Sequence, residues 1–501
     1  MKKSLIVFVL LFCSLSLTSQ VFTLIKDQPP GLVNAAATWI DIHGNLRKDL
    51  ILSGDNLTGN KANIRTVFFK QADKERFSVA SKGLPEFTLG AVAAGDLNND
   101  GRQDLVISGQ SASGRYISGI YMAQADGSLR KSDALLATLI EGSIALADID
   151  KDNDLDILMT GKDEQGKPVT KVFRNDAGKY TDINAPINGI MHGQAVFGDI
   201  NNDGYFDILV CGLSASGHVT RLFLNNQGRF VPLTNHFPPL KNSSAAFADF
   251  DKDSWADIII SGENTSGRPV LRIYRNLKNN MFEEVASGNI RPLMNCTIET
   301  ADFNVDGLID FVITGESLER PYSYVYQNMG NFVFRDIMAG LPGVSAGTAV
   351  WGDYDNDGDP DLFVSGLDVC YNFIGQIFRN NTNPEIERDE PASIFIESPI
   401  LDYSKGPYYY FLFSSCFCDP ENTGTKRYHM FISKVHREEK DFDLNYRFNE
   451  ILTSRFPNWE PADRAHRTSN AFPTAKEAED ARLGVIESYK AEGYQMHYFN
   501  W

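Results

Sequence analysis

Asp353-Tyr354-Asp355-Asn356-Asp357-Gly358-Asp359-Pro360-Asp361, running into Leu362-Phe363-Val364-Ser365-Gly366, is the stretch whose reading decides the fold. An aspartate opens the loop, another closes it eight residues later, and a glycine stands thirteen residues after the first. The pattern recurs upstream, with openings at Asp41, Asp96, Asp148, Asp199, Asp249 and Asp302 and closings at Asp49, Asp104, Asp156, Asp207, Asp257 and Asp310. The matching glycines are Gly54, Gly109, Gly161, Gly212, Gly262 and Gly315. A period of roughly fifty residues marks a repeat protein, each unit a supersecondary element that needs its neighbours to bury its apolar faces.

Outward from each loop the flanking residues predict four strands. Before it runs a small-residue strand, such as Gly90-Ala91-Val92-Ala93-Ala94-Gly95, and after it an apolar β-branched run, such as Ile258-Ile259-Ile260. Such runs, bounded by turn signals, are strands buried on both faces. A third strand ends in Phe173-Arg174-Asn175, Phe223-Leu224-Asn225, Tyr274-Arg275-Asn276, Tyr326-Gln327-Asn328 or Phe378-Arg379-Asn380, and a short fourth carries Phe77, Tyr180, Phe230, Phe282 or Phe334. Four antiparallel strands with a tight inner one describe a propeller blade, because only small residues fit where inner strands converge. Seven units predict an all-β, seven-bladed propeller. Phe22 precedes Asp41 by the same nineteen positions that separate Phe77, Tyr180, Phe230 and Phe334 from the next opening aspartate, while the last unit stops after its third strand. Val21 to Ile25 is therefore expected to complete the seventh blade and remove two exposed sheet edges.

The loops have the chemistry of hard-cation sites, since calcium takes six to eight oxygens and alternate positions of a tight loop can aim several at one point. Candidate ligands are Asp96, Asn98, Asp100 and Asp104; Asp148, Asp150, Asp152 and Asp156; Asp199, Asn201, Asp203 and Asp207; Asp249, Asp251, Asp253 and Asp257; Asp302, Asn304, Asp306 and Asp310; and Asp353, Asp355, Asp357 and Asp361. Gly101, Gly204, Gly307 and Gly358 turn the corner, and Asn153 tolerates the same conformation. Ser254 and Trp255 replace the corner glycine in the fifth loop, which leaves its geometry open. Asp41, His43, Asn45 and Asp49, with Leu46 at the corner, predict a first loop without metal. About five to six bound Ca2+ ions are expected, and six divalent cations would cancel about twelve units of the formal charge of -18.

These loops, each followed by an apolar strand and glycine, resemble the FG-GAP repeats of integrin alpha-subunit propellers and of bacterial secreted proteins, over roughly residues 21 to 382. The resemblance implies structural calcium at the blade bottoms of a protein of adhesion or carbohydrate recognition.

The strongly acidic balance argues against nucleic acid or an anionic membrane as the main partner. Residues 1–20, with Lys2 and Lys3, an apolar run from Leu5 to Leu17 and then Thr18-Ser19-Gln20, read as a signal peptide and predict a secreted or cell-surface protein. Cys13 is a poor lipidation site because Phe12 precedes it. The remaining cysteines, Cys211, Cys296, Cys370, Cys416 and Cys418, are odd in number and read as small buried side chains.

On the face opposite the loops, turns between second and third strands carry Arg115, Lys167, His218, Arg268 and Arg320, a candidate cationic rim for an acidic glycan or protein ligand, or simply solvated turns. Residues 383–393 read as a linker and 394–501 as a small α+β domain, with strands near 408–413 and 428–432 and helices near 444–456 and 476–490. His429, His436, His466 and His497 lack metal-ligand spacing. Two functions fit: a calcium-stabilised binding or adhesion protein, or an extracellular polysaccharide lyase or hydrolase using the propeller as scaffold. Binding is favoured, because the abundant carboxylates belong to loops where a cation would keep them ionised.

Overall fold

The computed structural model describes residues 21–382 apart from 59–60, 74–75, 81–82, 235–236 and 287, and beyond them 408–410, 412–418, 427–438, 467–468, 475–491 and 495–499. The expected signal peptide, the linker 383–393 and the helix near 444–456 lie outside the described residues.

Seven four-stranded antiparallel sheets follow one another along residues 22–380. Their inner strands are Val33–Ile40, Phe87–Gly95, Ile144–Ala147, Met191–Gly198, Lys241–Ala248, Met294–Ala301 and Ser345–Gly352, and every second strand begins on the closing aspartate. Each inner strand lies beside those of both neighbouring blades, the seventh beside the first, so the ring is closed. One apolar cluster fills each blade interface; between blades one and two it joins Ile40, Ile51 and Phe68 to Phe87, Leu105 and Ile107. The β-branched second strands supply the centre of each cluster, with Leu50-Ile51-Leu52 and Ile258-Ile259-Ile260 fully buried. This is why those strands read as unbroken apolar runs rather than as alternating ones.

The ring closes as expected. Phe22–Leu24 pairs antiparallel with Phe373–Asn380, in the register Phe22 to Asn380, Thr23 to Arg379 and Leu24 to Phe378. Ile25 N and Asn381 N extend the ladder to Ile377 O and Val21 O. Phe22 is 1% exposed, its ring 5.9 Å from both Phe303 and Trp351.

One element was not anticipated. Seven residues before each opening aspartate the inner strand bulges through a left-handed residue: Asn34, Leu89, Glu141, His192, Asn242, Asn295 and Ala346 have φ between 45° and 56°. The repeat glycine lies beneath the bulge, where a Cβ on Gly54 would meet Val33 O at 2.7 Å and one on Gly161 would meet Ile140 O at 2.5 Å. Glycine is needed because the backbones approach too closely for a side chain.

The C-terminal part forms a separate compact unit. Strands Arg467–Thr468, Leu412–Cys418, Arg427–Ser433 and Gln495–Phe499 lie side by side in that order, the last pair parallel, and Tyr408–Tyr410 pairs with His436–Glu438. The expected strand near 408–413 is thus divided between two sheets. The helix expected near 476–490 spans Ala475–Ala491. Of the cysteines, Cys211 is buried as expected, Cys296 is half-buried, and Cys370 is exposed on the hairpin tip of blade seven, where the turn leaves no core to enter.

Candidate functional site

The seven acidic loops share one backbone frame, built by the two aspartates that every repeat retains. The opening carboxylate caps the turn: Asp96 accepts from Asp100 N at 3.0 Å and Gly101 N at 2.7 Å, and Asp199 and Asp302 do the same at their own loops. The closing carboxylate ties the loop to the third strand. Asp207 accepts from Ile200 N at 3.1 Å and Asn225 N at 2.7 Å, and Asp156 from Ile149 N and Asn175 N, both at 2.7 Å. The corner residue is left-handed in all seven loops, whether Gly101 at 83°, Asn153 at 70°, Ser254 at 67° or Leu46 at 66°. Ser254 therefore makes the turn that glycine makes elsewhere, donating to Asp249 at 2.7 Å. In the first loop Asp41 caps His43, Asn45 and Leu46 in the same way. The first and ninth positions thus answer to backbone N–H groups in every loop.

The third and fifth positions are different. In three loops the carboxylates converge, with oxygens of Asp148, Asp150 and Asp156, of Asp249, Asp251 and Asp257, and of Asp353, Asp355 and Asp357 each within 4.8 Å of one another. Within each cluster the third-position aspartate has a buried oxygen, Oδ1 of Asp150, Asp251 or Asp355, with no hydrogen-bond partner among the described residues. A buried carboxylate oxygen without a donor is costly, and a cation centred among three such groups removes that cost. Burial pushes the Asp355 carboxyl up to about 7, with the neighbouring charges of Asp357 and Asp353 adding to the rise. Burial likewise raises Asp156, Asp207, Asp257 and Asp310 to about 7 and Asp104 to about 6, against the lowering pull of their backbone donors. In three of the other four loops Asn98, Asn201 and Asn304 stand at the third position and donate to Asp100, Asp203 and Asp306 at 3.1, 3.0 and 2.8 Å, and in the first loop His43 stands there. The donor set is all oxygen and mostly carboxylate, which fits calcium better than a softer metal.

The loops are also wired to one another. In blades three to seven an asparagine at the end of the third strand donates to a loop carbonyl of the preceding blade: Asn175 to Leu97 O, Asn225 to Ile149 O, Asn276 to Ile200 O and Asn328 to Phe250 O, at 2.8–3.0 Å, and Asn380 to Phe303 O at 2.6 Å. Gln71 spans the seam, reaching Tyr354 O at 2.9 Å. Between blades one and two Gln103 exchanges two hydrogen bonds with the Asp41 backbone instead. Sequence reading noted these asparagines only as strand ends, because their partners are main-chain atoms of another repeat.

On the opposite face the expected rim residues sit on five separate hairpins, Arg115, Lys167, Arg268 and Arg320 exposed and His218 half-buried. Only Arg320 joins a larger group: its guanidinium carbon lies 4.8 Å from the Tyr322 ring centre and that of Arg291 lies 4.6 Å from it. Neither arginine has an ion-pair partner among the described residues. Arg291 and Tyr322 were missed by sequence reading, since Arg291 lies in the connection entering blade six. Glu299 is the sole acidic residue on the seven inner strands; its surface is half-buried, and desolvation among the converging inner strands pushes its carboxyl up to about 7.

A search of curated proteins finds no match to the chain. Among solved structures, the BP39L lectin from Burkholderia pseudomallei is similar at 10% identity over 68% of this chain and 94% of its own, with a TM-score of 0.46. The V. cholerae biofilm matrix protein Bap1 is similar at 13% identity over 90% of this chain and 62% of its own, TM-score 0.30. The rhamnogalacturonan lyase YesW is similar at 11% identity over 73% of this chain and 76% of its own, TM-score 0.43. The family model of the FG-GAP-like repeat matches five times, at residues 96–159, 148–210, 199–260, 249–313 and 302–364. Each match starts on an opening aspartate and ends within the next blade's second strand, and together they cover more than half of the chain, which therefore belongs to the FG-GAP-like repeat family of β-propeller proteins.

Proposed function

We propose that this is a secreted or cell-surface binding protein whose propeller is braced by calcium at five to six loops and whose opposite face takes a glycan or protein ligand. The observation that carries the reading is the triplet of buried, donorless oxygens on Asp150, Asp251 and Asp355, each inside a knot of carboxylates. Such knots would repel themselves in an ion-poor medium and suit the calcium-rich extracellular one, where modules of modest affinity stay loaded. On the ligand side, Arg291 and Arg320 hold two guanidiniums against Tyr322 with neither in a salt bridge, the Arg291 charge reaching the Asp336 carboxyl, in a protein of net charge -18. Stacked and planar, they favour a carboxylate-bearing glycan or an acidic protein segment.

The test is paired. Calcium should raise the melting temperature of chelated protein, and binding to polygalacturonate should be salt-sensitive and fall when Arg291 and Arg320 become Gln. Binding that survives this change and the further replacement of Arg115, Lys167 and Arg268 by Ser would place the ligand elsewhere. A lyase or hydrolase function, the alternative, would centre on Glu299, and turnover of pectic glycans abolished by Glu299→Gln would favour it.

A further inference from the structure

Beside each loop the residue before the one whose backbone N–H donates to the closing aspartate varies with the third loop position. Where the loop carries Asp150, Asp251 or Asp355, that residue is Arg174, Arg275 or Arg379; where it carries Asn98, Asn201 or Asn304, it is Met122, Leu224 or Gln327. The two kinds alternate around the ring, arginine in blades three, five and seven and a neutral residue in blades two, four and six. In the first blade, whose loop has lost both middle carboxylates, the pair is His43 and Lys70. The side chains meet. Arg275 Nη2 lies 2.7 Å from Asp251 Oδ2 and 4.0 Å from Asp253, Arg174 shares its charge between Asp176, to which Nη2 donates at 3.0 Å, and Asp150 Oδ2, 3.9 Å from Nε, and the Arg379 charge acts on Asp355. Asp251 is 6% exposed on its side chain; one oxygen takes the guanidinium while the other has no donor among the described residues. In blade five Lys278 adds a second positive charge 3.9 Å from Asp253.

We propose that this arginine is a built-in counter-ion, so that the loops of blades three, five and seven stay closed when their metal leaves while those of blades four and six open. The inference rests on the reading that the loops bind divalent cations. Blade five is the most self-sufficient, since both middle carboxylates have a cationic partner from its own third strand and the turn that follows. In blades four and six the fifth-position carboxylates meet only the amides of Asn201 and Asn304; the lysine reaching each loop comes from the preceding blade, and Lys151 bonds the Asp203 carbonyl at 2.6 Å rather than its carboxylate, so no charge from the blade itself offsets them. Blade two is intermediate: Arg102 pairs with Asp100 within its own turn, but both are about a quarter exposed and water screens the pair. Arg275 and its counterparts are positioning residues, acting on the ion through the third-position aspartate.

The experiment is hydrogen exchange of the whole protein, calcium-loaded and in chelator, read loop by loop. Chelation is expected to speed exchange about tenfold or more across 199–207 and 302–310, as for an uncompensated charge at contact distance, and to change 249–257 little. In Arg275→Gln the 249–257 loop should become as chelator-sensitive as the loop of blade four. The reciprocal double variant Asn201→Asp with Leu224→Arg should protect 199–207 in chelator, and it keeps the test decisive should the first variant fold poorly. Equal deprotection of all six loops, or a 249–257 response unchanged in Arg275→Gln, overturns the inference while leaving calcium binding intact. No response at any loop, with no calcium binding by calorimetry, removes the cation reading itself and this inference with it.

Discussion

Replacing Phe22 by Ala tests whether the first strand closes the ring. The Phe22 ring is 1% exposed and sits between Phe303 and Trp351, and its backbone faces Asn380 across the seam. Removing a fully buried phenyl group costs about 3–5 kcal/mol in transfer and cavity terms. At about 2.1 cal/mol/K of unfolding entropy per residue over roughly 360 residues, that amounts to a fall in melting temperature of about 4–7 °C. The control is Phe230→Ala in blade four, equally buried and in the same register opposite Asn225, but on a strand continuous with its own hairpin. Calorimetric melts in calcium should show similar losses for both variants, and brief proteolysis should additionally cut the Phe22→Ala chain near residue 25. If Phe230→Ala loses several degrees and Phe22→Ala loses none, the N-terminal segment is not part of the seventh blade.

Chelation should lower the melting temperature by roughly 4–12 °C, because loops that stay closed without metal leave the oxygens of Asp150, Asp251 and Asp355 unsatisfied at about 1–3 kcal/mol each, and calcium should restore it; a melt indifferent to chelator would refute the bracing. Asn225→Ala strips donors from Ile149 O and Phe206 O and an acceptor from Gly228 N, and should cost about 2–4 kcal/mol in denaturant, with faster exchange in the loop of blade three rather than that of blade five. Glu299 has its carboxyl raised to about 7 from an ordinary 4.5, so its stabilising share is present below pH 4.5 and lost as pH rises through 7. Glu299→Gln should therefore gain about 1–3 kcal/mol at pH 8 and nothing at pH 4, and parallel pH curves for the two proteins would disprove the assignment.

Reading the sequence was sufficient for the ring because the signals were periodic and redundant: Leu105-Val106-Ile107 and its counterparts, the loop frame, and the nineteen-residue offset of Phe22. Within the loops it was less discriminating. Asp41 and Asp49 persist in a loop without the middle carboxylates because backbone donors need them, and a residue string does not show whether an aspartate answers to an ion or to an N–H. The bulge was illegible for another reason. Its left-handed residue is asparagine at 34, 242 and 295 but leucine, glutamate, histidine and alanine elsewhere, so the conformation is imposed by strand packing rather than by side-chain preference. Arg275 could have been found by comparing repeats column by column, but its meaning needed the 2.7 Å approach to Asp251.

The pairing of Phe22 with Asn380 has a consequence in time. The strand made first on the ribosome finds its partner only after the whole array has been synthesised, and closing a flexible loop of about 350 residues would by itself cost about 5 kcal/mol. Successive blades bring that cost down by stacking, each delivering the growing end nearer the waiting start. The join is therefore the last to be made, and a chain halted before its seventh unit would display an orphaned edge to whatever quality-control machinery patrols for one.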